Sequence, residues 1–160
     1  MDVYFCKGGL SMLTRCKKAL ALVALAIFLL PCAALAATPD YPDHFAKYPA
    51  YKLGSSSTGV ANYFDPATIT CQSYDAPNYA LSASVIMYSY EADRMLKWQR
   101  YYFKYNYAEN QIWVSYNGST YTGPIDTTVW HLSNLQDLVV LGVHIWEENY
   151  GMKWKNLYGE

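Results

Sequence analysis

The chain has 160 residues, and residues 1–36 hold four of its 12 basic and one of its 13 acidic side chains, which leaves a net charge of −4 on the remainder. This acidic balance argues against nucleic acid or an anionic membrane surface as a partner, because both attract basic patches. The length predicts a single domain that can bury a hydrophobic core without disulfide bonds.

The first 36 residues have the three parts of a secretory signal peptide. A basic segment that ends at Lys18 precedes an uncharged run over residues 19–30, and Ala34-Leu35-Ala36 supplies the small residues of a cleavage site. We expect cleavage after Ala36. The mature protein is then secreted, or held in the periplasm or cell envelope.

Two other interpretations of this leader fit less well. A transmembrane anchor needs about 20 apolar residues, and the uncharged stretch falls short of this even when the segment after Pro31 is included. A lipoprotein acylated on Cys32 is disfavoured by the proline that precedes this cysteine. Met12 is a second candidate start, since it begins a shorter leader than Met1.

The cysteine content of the mature protein indicates its origin. After residue 36 the sequence contains one cysteine, Cys71, so an intrachain disulfide is impossible there. A small exported protein without disulfides indicates a bacterial source. Cys71 alternates with Ala67 and Ile69 at the period of a strand, which predicts a core residue rather than a reactive thiol.

The aromatic content predicts a sheet. All five Trp and 16 of the 17 Tyr lie after residue 36, and aromatic residues favour half-buried strands. Residues 37–50 contain three prolines and are expected to form an extended lead-in to a single domain over residues 51–160. A strand begins within residues 51–53 and a loop follows over 54–59. Further strands are predicted over residues 60–64, 67–73 and 81–90.

The register of the next two strands follows from their alternation. The apolar side chains of residues 98–107 and 111–116 must share one face, because a slip of one residue would turn them all to the other side. This pairs Phe103 with Val114 and Tyr105 with Ile112. On the opposite, wet face the pairs are Lys104 with Trp113 and Tyr102 with Ser115.

Asn117-Gly118 is the strongest turn signal in the chain and predicts a two-residue type I′ hairpin. Such a turn would place Tyr121 opposite Val114, with its side chain facing inward.

From Ser133 the apolar spacing changes to three and four, which predicts an amphipathic helix that ends at Gly151. Gln136 would complete a capping box with Ser133. Gly142 lies on the apolar side, which indicates close approach of helix and sheet. Residues 152–158 are expected to add a last strand.

The fold class is therefore α+β: a curved antiparallel sheet of five to seven strands with one long C-terminal helix packed on it. Six residues are expected in its core: Phe103, Tyr105, Ile112, Val114, Leu138 and Ile145.

No residue pattern indicates a catalytic, cofactor or metal site, and none is expected. His44, His131 and His144 lack the spacing of metal ligands. Asp137, His144 and Glu148 share the polar side of the predicted helix, where a carboxylate beside a histidine could help to hold a metal. A solvated helix face gives the same pattern, and we favour that interpretation.

Five side chains mark a candidate binding surface on the wet face of the sheet: Trp98, Arg100, Tyr102, Lys104 and Trp113. Exposed aromatic surface often marks a binding site, and aromatic faces hold cations and stack on sugars. Ordinary sheet packing, or a cover formed by the lead-in, is the alternative explanation for these rings.

Four segments carry a family resemblance: Tyr63-Phe64-Asp65-Pro66-Ala67-Thr68-Ile69, Tyr102-Phe103-Lys104-Tyr105, Ile112-Trp113-Val114 and Tyr150-Gly151-Met152-Lys153-Trp154. They resemble small secreted proteins of diderm Firmicutes, which are similar in turn to the surface-adhesin-E-like β domains of bacterial envelopes. The resemblance covers residues 51–158 and implies an envelope or extracellular protein. Its motifs contain no catalytic residues.

These observations predict an exported, non-enzymatic domain that binds a glycan or an envelope protein through an aromatic sheet face, with no membrane span after signal cleavage. Two alternatives stay open: a secreted hydrolase with scattered catalytic residues, and a structural accessory protein. A deep pocket that gathers two or more ionisable side chains would favour the hydrolase.

Overall fold

The structure is a computed structural model that describes residues 40–131 and 134–157. These residues belong to one compact unit, Pro39–Glu160. The expected signal peptide with its cleavage site after Ala36, the helix cap at Ser133 and the end of the expected last strand lie outside the described residues.

Seven antiparallel strands in the described residues form one open sheet. The helix α1 spans Asn134–Tyr150 and follows the last strand. This architecture confirms the α+β class and the expected number of strands. The strands are β1 (Lys52–Ser57), β2 (Val60–Phe64), β3 (Thr70–Asp75), β4 (Asn78–Ser89), β5 (Arg94–Asn106), β6 (Gln111–Ser115) and β7 (Thr122–Asp126).

The sheet is built on the long hairpin of β4 and β5, which pair along the whole of β4. On the other edge of β4, β2 pairs with the second half and β3 with the first half. β6 pairs with residues 102–106 of β5, and β7 pairs with β6. The sheet therefore has two ends. The β2 end consists of β1, β2 and the parts of β4 and β5 that lie beside them. The β3 end consists of β3, β6, β7 and the remaining parts of β4 and β5.

The pairing of β5 with β6 follows the predicted register. Phe103 lies opposite Val114 and Tyr105 opposite Ile112, while Lys104 lies opposite Trp113. All six residues expected in the core are buried. We call the face of the sheet that these residues occupy, which α1 covers, the inner face. The opposite face is the outer face.

The connection between β6 and β7 differs from the predicted hairpin. β7 begins at Thr122, which lies opposite Val114. The Asn117 side chain folds back and accepts hydrogen bonds from the backbone of Ser119 and Thr120 at 2.9 and 3.0 Å. These N–H groups bond the side-chain oxygen instead of backbone carbonyl oxygens of the paired strand. The two-residue turn therefore does not form. Tyr121 accordingly lies on the outer face and not opposite Val114.

The helix approaches the inner face closely at Gly142, as predicted. A Cβ on Gly142 would lie 2.9 Å from Phe103 Cδ1, and the Tyr105 hydroxyl donates a 2.9 Å hydrogen bond to the Gly142 carbonyl oxygen. Gly151 has a φ of 64° and its N–H donates to the Glu147 carbonyl, which ends the helix as expected.

Residues 54–57 were expected in a loop but belong to β1. Gly54 is buried beneath the helix, where a Cβ would overlap Leu141 Cδ1. Ser55 is also buried and accepts a hydrogen bond from the Asn62 side chain at 3.0 Å. The strand has no apolar alternation because close backbone approach and a polar pair fill its inner side.

The strand expected over residues 67–73 is displaced along the chain. Pro66–Thr68 forms a 3-10 turn, and β3 begins at Thr70. Every residue of β3 is exposed, and Cys71 is exposed with them. The prediction of a core cysteine was wrong because β3 is an edge strand that no other element covers along its length.

The expected last strand is also absent from the described residues 152–157, where the chain makes turns instead. Trp154 returns to the core, and its Nε1 donates a 2.9 Å hydrogen bond to Thr127 Oγ1. A large ring with one polar atom is thereby buried with that atom satisfied.

The lead-in packs on the outer face at the β2 end and creates a second core. Phe45 and Tyr51 pack there against Tyr63, Ile86 and Tyr88. The Phe45 and Tyr88 ring centroids are 5.0 Å apart. The aromatic alternation of β2 and β4 therefore serves two cores, one on each face of the sheet.

Gly142→Ala should destabilise the protein by about 1–3 kcal/mol, because the added methyl group overlaps the buried Phe103 ring. The same change in an open helix position stabilises by about 1 kcal/mol, so the sign of the effect is the test. Chemical denaturation measures it. Asn149→Ala on the exposed side of α1 is the control, and a stabilising Gly142→Ala would contradict the close packing.

Alkaline pH should destabilise the fold through its buried tyrosines. Burial, with a contribution from Tyr116, raises the pKa of Tyr101 from its ordinary 10.0 to about 12, and burial raises the pKa of Tyr63 and Tyr105 as well. Ionisation is therefore easier in the unfolded chain, so the contribution of these phenols to stability is constant below pH 10.0 and falls as the pH rises towards the folded pKa values.

Thermal unfolding at a series of alkaline pH values, followed by tyrosinate absorbance, measures this fall. Tyr101→Phe should make the decline shallower. A thermal midpoint that stays level between about pH 8 and about pH 11 would contradict the buried, neutral phenols.

Candidate binding site

The five predicted site residues all lie on the outer face. The alternation of β5 places Trp98, Arg100, Tyr102 and Lys104 there, and the register places Trp113 of β6 opposite Lys104. The structure groups Tyr102, Lys104 and Trp113 at the β3 end of the sheet. Trp98 lies at the β2 end, with Arg100 between the two groups.

Trp98 belongs to the contact between the sheet and the lead-in. Its ring is 51% exposed, but its centroid lies 5.1 Å from that of Tyr48. Its Nε1 donates to the Tyr51 hydroxyl at 3.0 Å and to Ser84 Oγ at 3.1 Å. One side of the indole is thus occupied by the protein itself, as the packing alternative proposed.

Arg100 is held by the chain that leads into β3. Its guanidinium donates to Ser82 Oγ at 2.8 Å, to the Thr68 carbonyl oxygen at 3.2 Å and to Thr70 Oγ1 at 3.3 Å. Three hydrogen bonds fix the side chain against the sheet, which favours a structural role for this residue.

Lys104 and Trp113 line a cleft of about 420 Å³ at the β3 end, whereas Tyr102 lies outside its lining. One row of paired residues crosses its base from β3 to β6: Ser73, Ala80, Lys104 and Trp113. Because Ala80 and Ser73 have small side chains and Lys104 and Trp113 have large ones, the surface forms a depression over Ala80 and Ser73. Tyr121 and Asn78 also line the cleft, which we call the outer cleft.

Lys104 and Tyr121 form a charged and aromatic pair in the outer cleft. Lys104 Nζ lies 4.1 Å from the centroid of the Tyr121 ring, within the range of a cation–π contact. Burial raises the pKa of Tyr121, with a smaller contribution from Tyr102. The phenol therefore stays protonated and can donate a hydrogen bond to a ligand.

Trp113 is half-buried because β7 supports one edge of its ring. Gly123 has a φ of 139°, and a Cβ at this position would lie 2.7 Å from Trp113 Cδ1 and 2.9 Å from the Ile112 carbonyl oxygen. A ring held in this way loses little conformational freedom when a ligand binds.

Of the residues at the outer cleft, the sequence pattern predicts Lys104 and Trp113 but not Tyr121, Ala80 or Gly123. Tyr121 was assigned inward because the register of β7 was taken from the Asn117-Gly118 turn. The role of Ala80 depends on β3 pairing with β4 and not with β2, which is a long-range choice that local alternation does not specify.

The polar side of α1 contacts β1, and Asp137, His144 and Glu148 each bond a different residue of that strand. Asp137 Oδ2 accepts a 2.6 Å hydrogen bond from Ser57 Oγ, and His144 Nδ1 donates to the Gly54 carbonyl oxygen at 2.6 Å. Glu148 pairs with Lys52 at 2.9 Å. The sequence predicts a solvated helix face here. The structure shows that part of this face instead bonds β1 and holds the helix to the edge of the sheet.

The other reactive side chains are dispersed. His44 Nδ1 and His131 Nε2 each bond a backbone carbonyl oxygen, of Pro49 and Asp126. Cys71 Sγ lies 3.9 Å from the Tyr150 hydroxyl. Within residues 40–131 and 134–157, no three His, Cys, Asp or Glu side chains are grouped so that they could hold a metal ion.

No family model matches the chain, and comparison with curated proteins and with solved structures gives no match. Among the described residues, no helix has the length and apolar character needed to cross a membrane.

Gly123→Ala should destabilise the protein by about 1–3 kcal/mol, because the methyl group collides with Trp113 and with the backbone of β6. Gly151→Ala is the matched control, since Gly151 also has a positive φ but no atom within 4 Å of its added Cβ. Denaturation midpoints compare the two. In the background of Trp113→Ala the cost of Gly123→Ala should shrink, and an unchanged cost would contradict the contact.

Proposed function

We propose that this protein is an exported, non-enzymatic carbohydrate-binding domain that uses the outer cleft. The observation that carries the proposal is the composition of the cleft: a fixed indole, a phenol, an ammonium group and an amide surround a floor of small side chains. Sites for small ligands typically combine apolar walls with a few convergent polar groups in this way.

A sugar fits each of these groups. The face of Trp113 offers apolar area to one side of a pyranose ring, and Lys104 and Asn78 can donate hydrogen bonds to its hydroxyl oxygens. The Tyr121 hydroxyl can donate or accept. Because the cleft is open and shallow, a single sugar unit should bind weakly, and repeated units on a polymer supply the affinity through avidity.

The leader and the resemblance support a site of action outside the cytoplasm. Residues 19–36 have the pattern of an apolar core and a cleavage site. The segments that resemble surface-adhesin-E-like envelope domains include Trp113 and Lys104, so the resemblance and the cleft involve the same strands. A polysaccharide of the cell envelope is the ligand class that this combination favours.

The lining of the outer cleft supports binding over hydrolysis. Glycoside hydrolysis uses a pair of carboxyl groups, one on each side of the scissile bond. The described lining instead offers Lys104, hydroxyl groups and an amide. The groove beside α1 does gather ionisable side chains, but Lys52 pairs with Glu148 and Lys153 with Glu147 across 2.9 and 3.0 Å.

Trp113→Ala should lower retention of the mature domain on insoluble peptidoglycan and on chitin by tenfold or more, because stacking on the ring is lost; tenfold corresponds to about 1.4 kcal/mol. Its stability should fall by less than about 2 kcal/mol, since the ring is only half-buried. Sedimentation assays and thermal midpoints measure the two effects. Lys104→Met should weaken retention without destabilising the fold.

Trp130→Ala is the matched control, because Trp130 is 69% exposed and lies outside the cleft lining. It should retain full binding. Equal retention of the Trp113→Ala and Trp130→Ala variants on both polymers, or no retention of the unmodified domain on either, would refute the proposal.

A further inference from the structure

A second and larger cavity, of about 680 Å³, lies at the β2 end between the inner face and the first turns of α1. A row of paired residues crosses its floor: Asn62 of β2, Met87 of β4 and Lys97 of β5. Asp137 and Leu138 of α1 form one wall. The remaining lining residues are Ser57, Thr58, Val60 and Tyr116. We call this space the inner cavity.

The floor of the inner cavity contains an incomplete polar group. Asn62 is 2% exposed, and its Nδ2 donates to Ser55 Oγ at 3.0 Å. Its Oδ1 is buried and has no hydrogen-bond partner among the described residues. A buried acceptor left without a donor is costly and rare in folded proteins. The oxygen is also inaccessible to a molecule in the cavity, so recognition must come from the charged side chains that border the space.

Two opposite charges border the same space without pairing with each other. Asp137 is held by Ser57, whose hydroxyl donates to Oδ2 at 2.6 Å. Lys97 Nζ lies 5.6 Å from the centroid of the Tyr116 ring. Neither residue takes part in an ion pair among the described residues. An anion on one side of the cavity and a cation on the other complement a ligand that carries one charge of each sign.

We propose that the inner cavity binds a short peptide with free termini. The ammonium group of the peptide pairs with Asp137, and its terminal carboxylate pairs with Lys97. This site lies on the opposite face of the sheet from the outer cleft and does not depend on the carbohydrate proposal.

The size of the cavity favours two or three residues over one. Asn62 and Lys97 are two strands apart, a distance of about 10 Å, and an extended residue spans about 3.3–3.6 Å. Met87, Val60 and Leu138 present apolar surface between the charged groups, which suits small apolar side chains on the peptide.

Isothermal titration of the mature domain with trialanine, trileucine and dialanine tests the proposal. At least one of these peptides should bind, and its N-acetylated and C-amidated forms should each bind tenfold more weakly or not at all. Lys97→Met should weaken binding of the free peptide tenfold or more. It should leave the weak binding of the C-amidated peptide unchanged, because that peptide has no carboxylate to pair.

Lys104→Met is the matched control, because Lys104 is an exposed lysine of the same strand on the outer face, and this variant should bind the peptides normally. Asp137→Asn removes the negative charge that pairs with the ammonium group and should weaken binding of the free peptides tenfold or more. The proposal is overturned if no peptide binds, if blocked and free peptides bind equally, or if Lys97→Met binds as the unmodified domain does.

Discussion

The pairing of β4 with β5 is the interaction on which the rest of the structure depends. It runs along all of β4, and its alternation sends Tyr101, Phe103 and Tyr105 to the inner face and their neighbours to the outer one. Since β5 lies between β4 and β6, the same alternation fixes which side chains of β6 meet the helix. A slip of one residue in this hairpin would turn the core side chains of β5 to the outer face and Lys104 to the inner face.

The two ends of this hairpin differ because β2 and β3 share the far edge of β4. At the β2 end the lead-in covers the outer face with Phe45 and Tyr51, and the inner cavity remains open beneath α1. At the β3 end the inner face is closed by rings such as Trp146 and Tyr105, and the outer cleft remains open. Each end is thus packed on one face and accessible on the other.

Local alternation predicted the parts of this arrangement that depend on neighbouring residues. The β5–β6 register, the buried core and the approach at Gly142 follow from side-chain periodicity. The errors at Asn117, at residues 54–57 and at Cys71 arise where a side chain replaces a backbone acceptor, where a polar strand lies beneath a helix, or where a strand forms an edge. The inner cavity also escaped prediction, because Asn62, Lys97 and Asp137 meet only through tertiary packing.

The buried polar atoms of the core differ in how far their hydrogen bonds are satisfied. Tyr105 and Trp154 are buried with their donors satisfied, by the Gly142 carbonyl oxygen and by Thr127. Trp146 Nε1 has no acceptor among the described residues, but its ring lies in a close-packed cluster of aromatic rings. Asn62 differs from these residues because its unpaired oxygen belongs to a side chain that lines a cavity. Its Nδ2 donates to Ser55 Oγ at 3.0 Å, so the amide also holds β1 against β2 on the inner face beside that cavity.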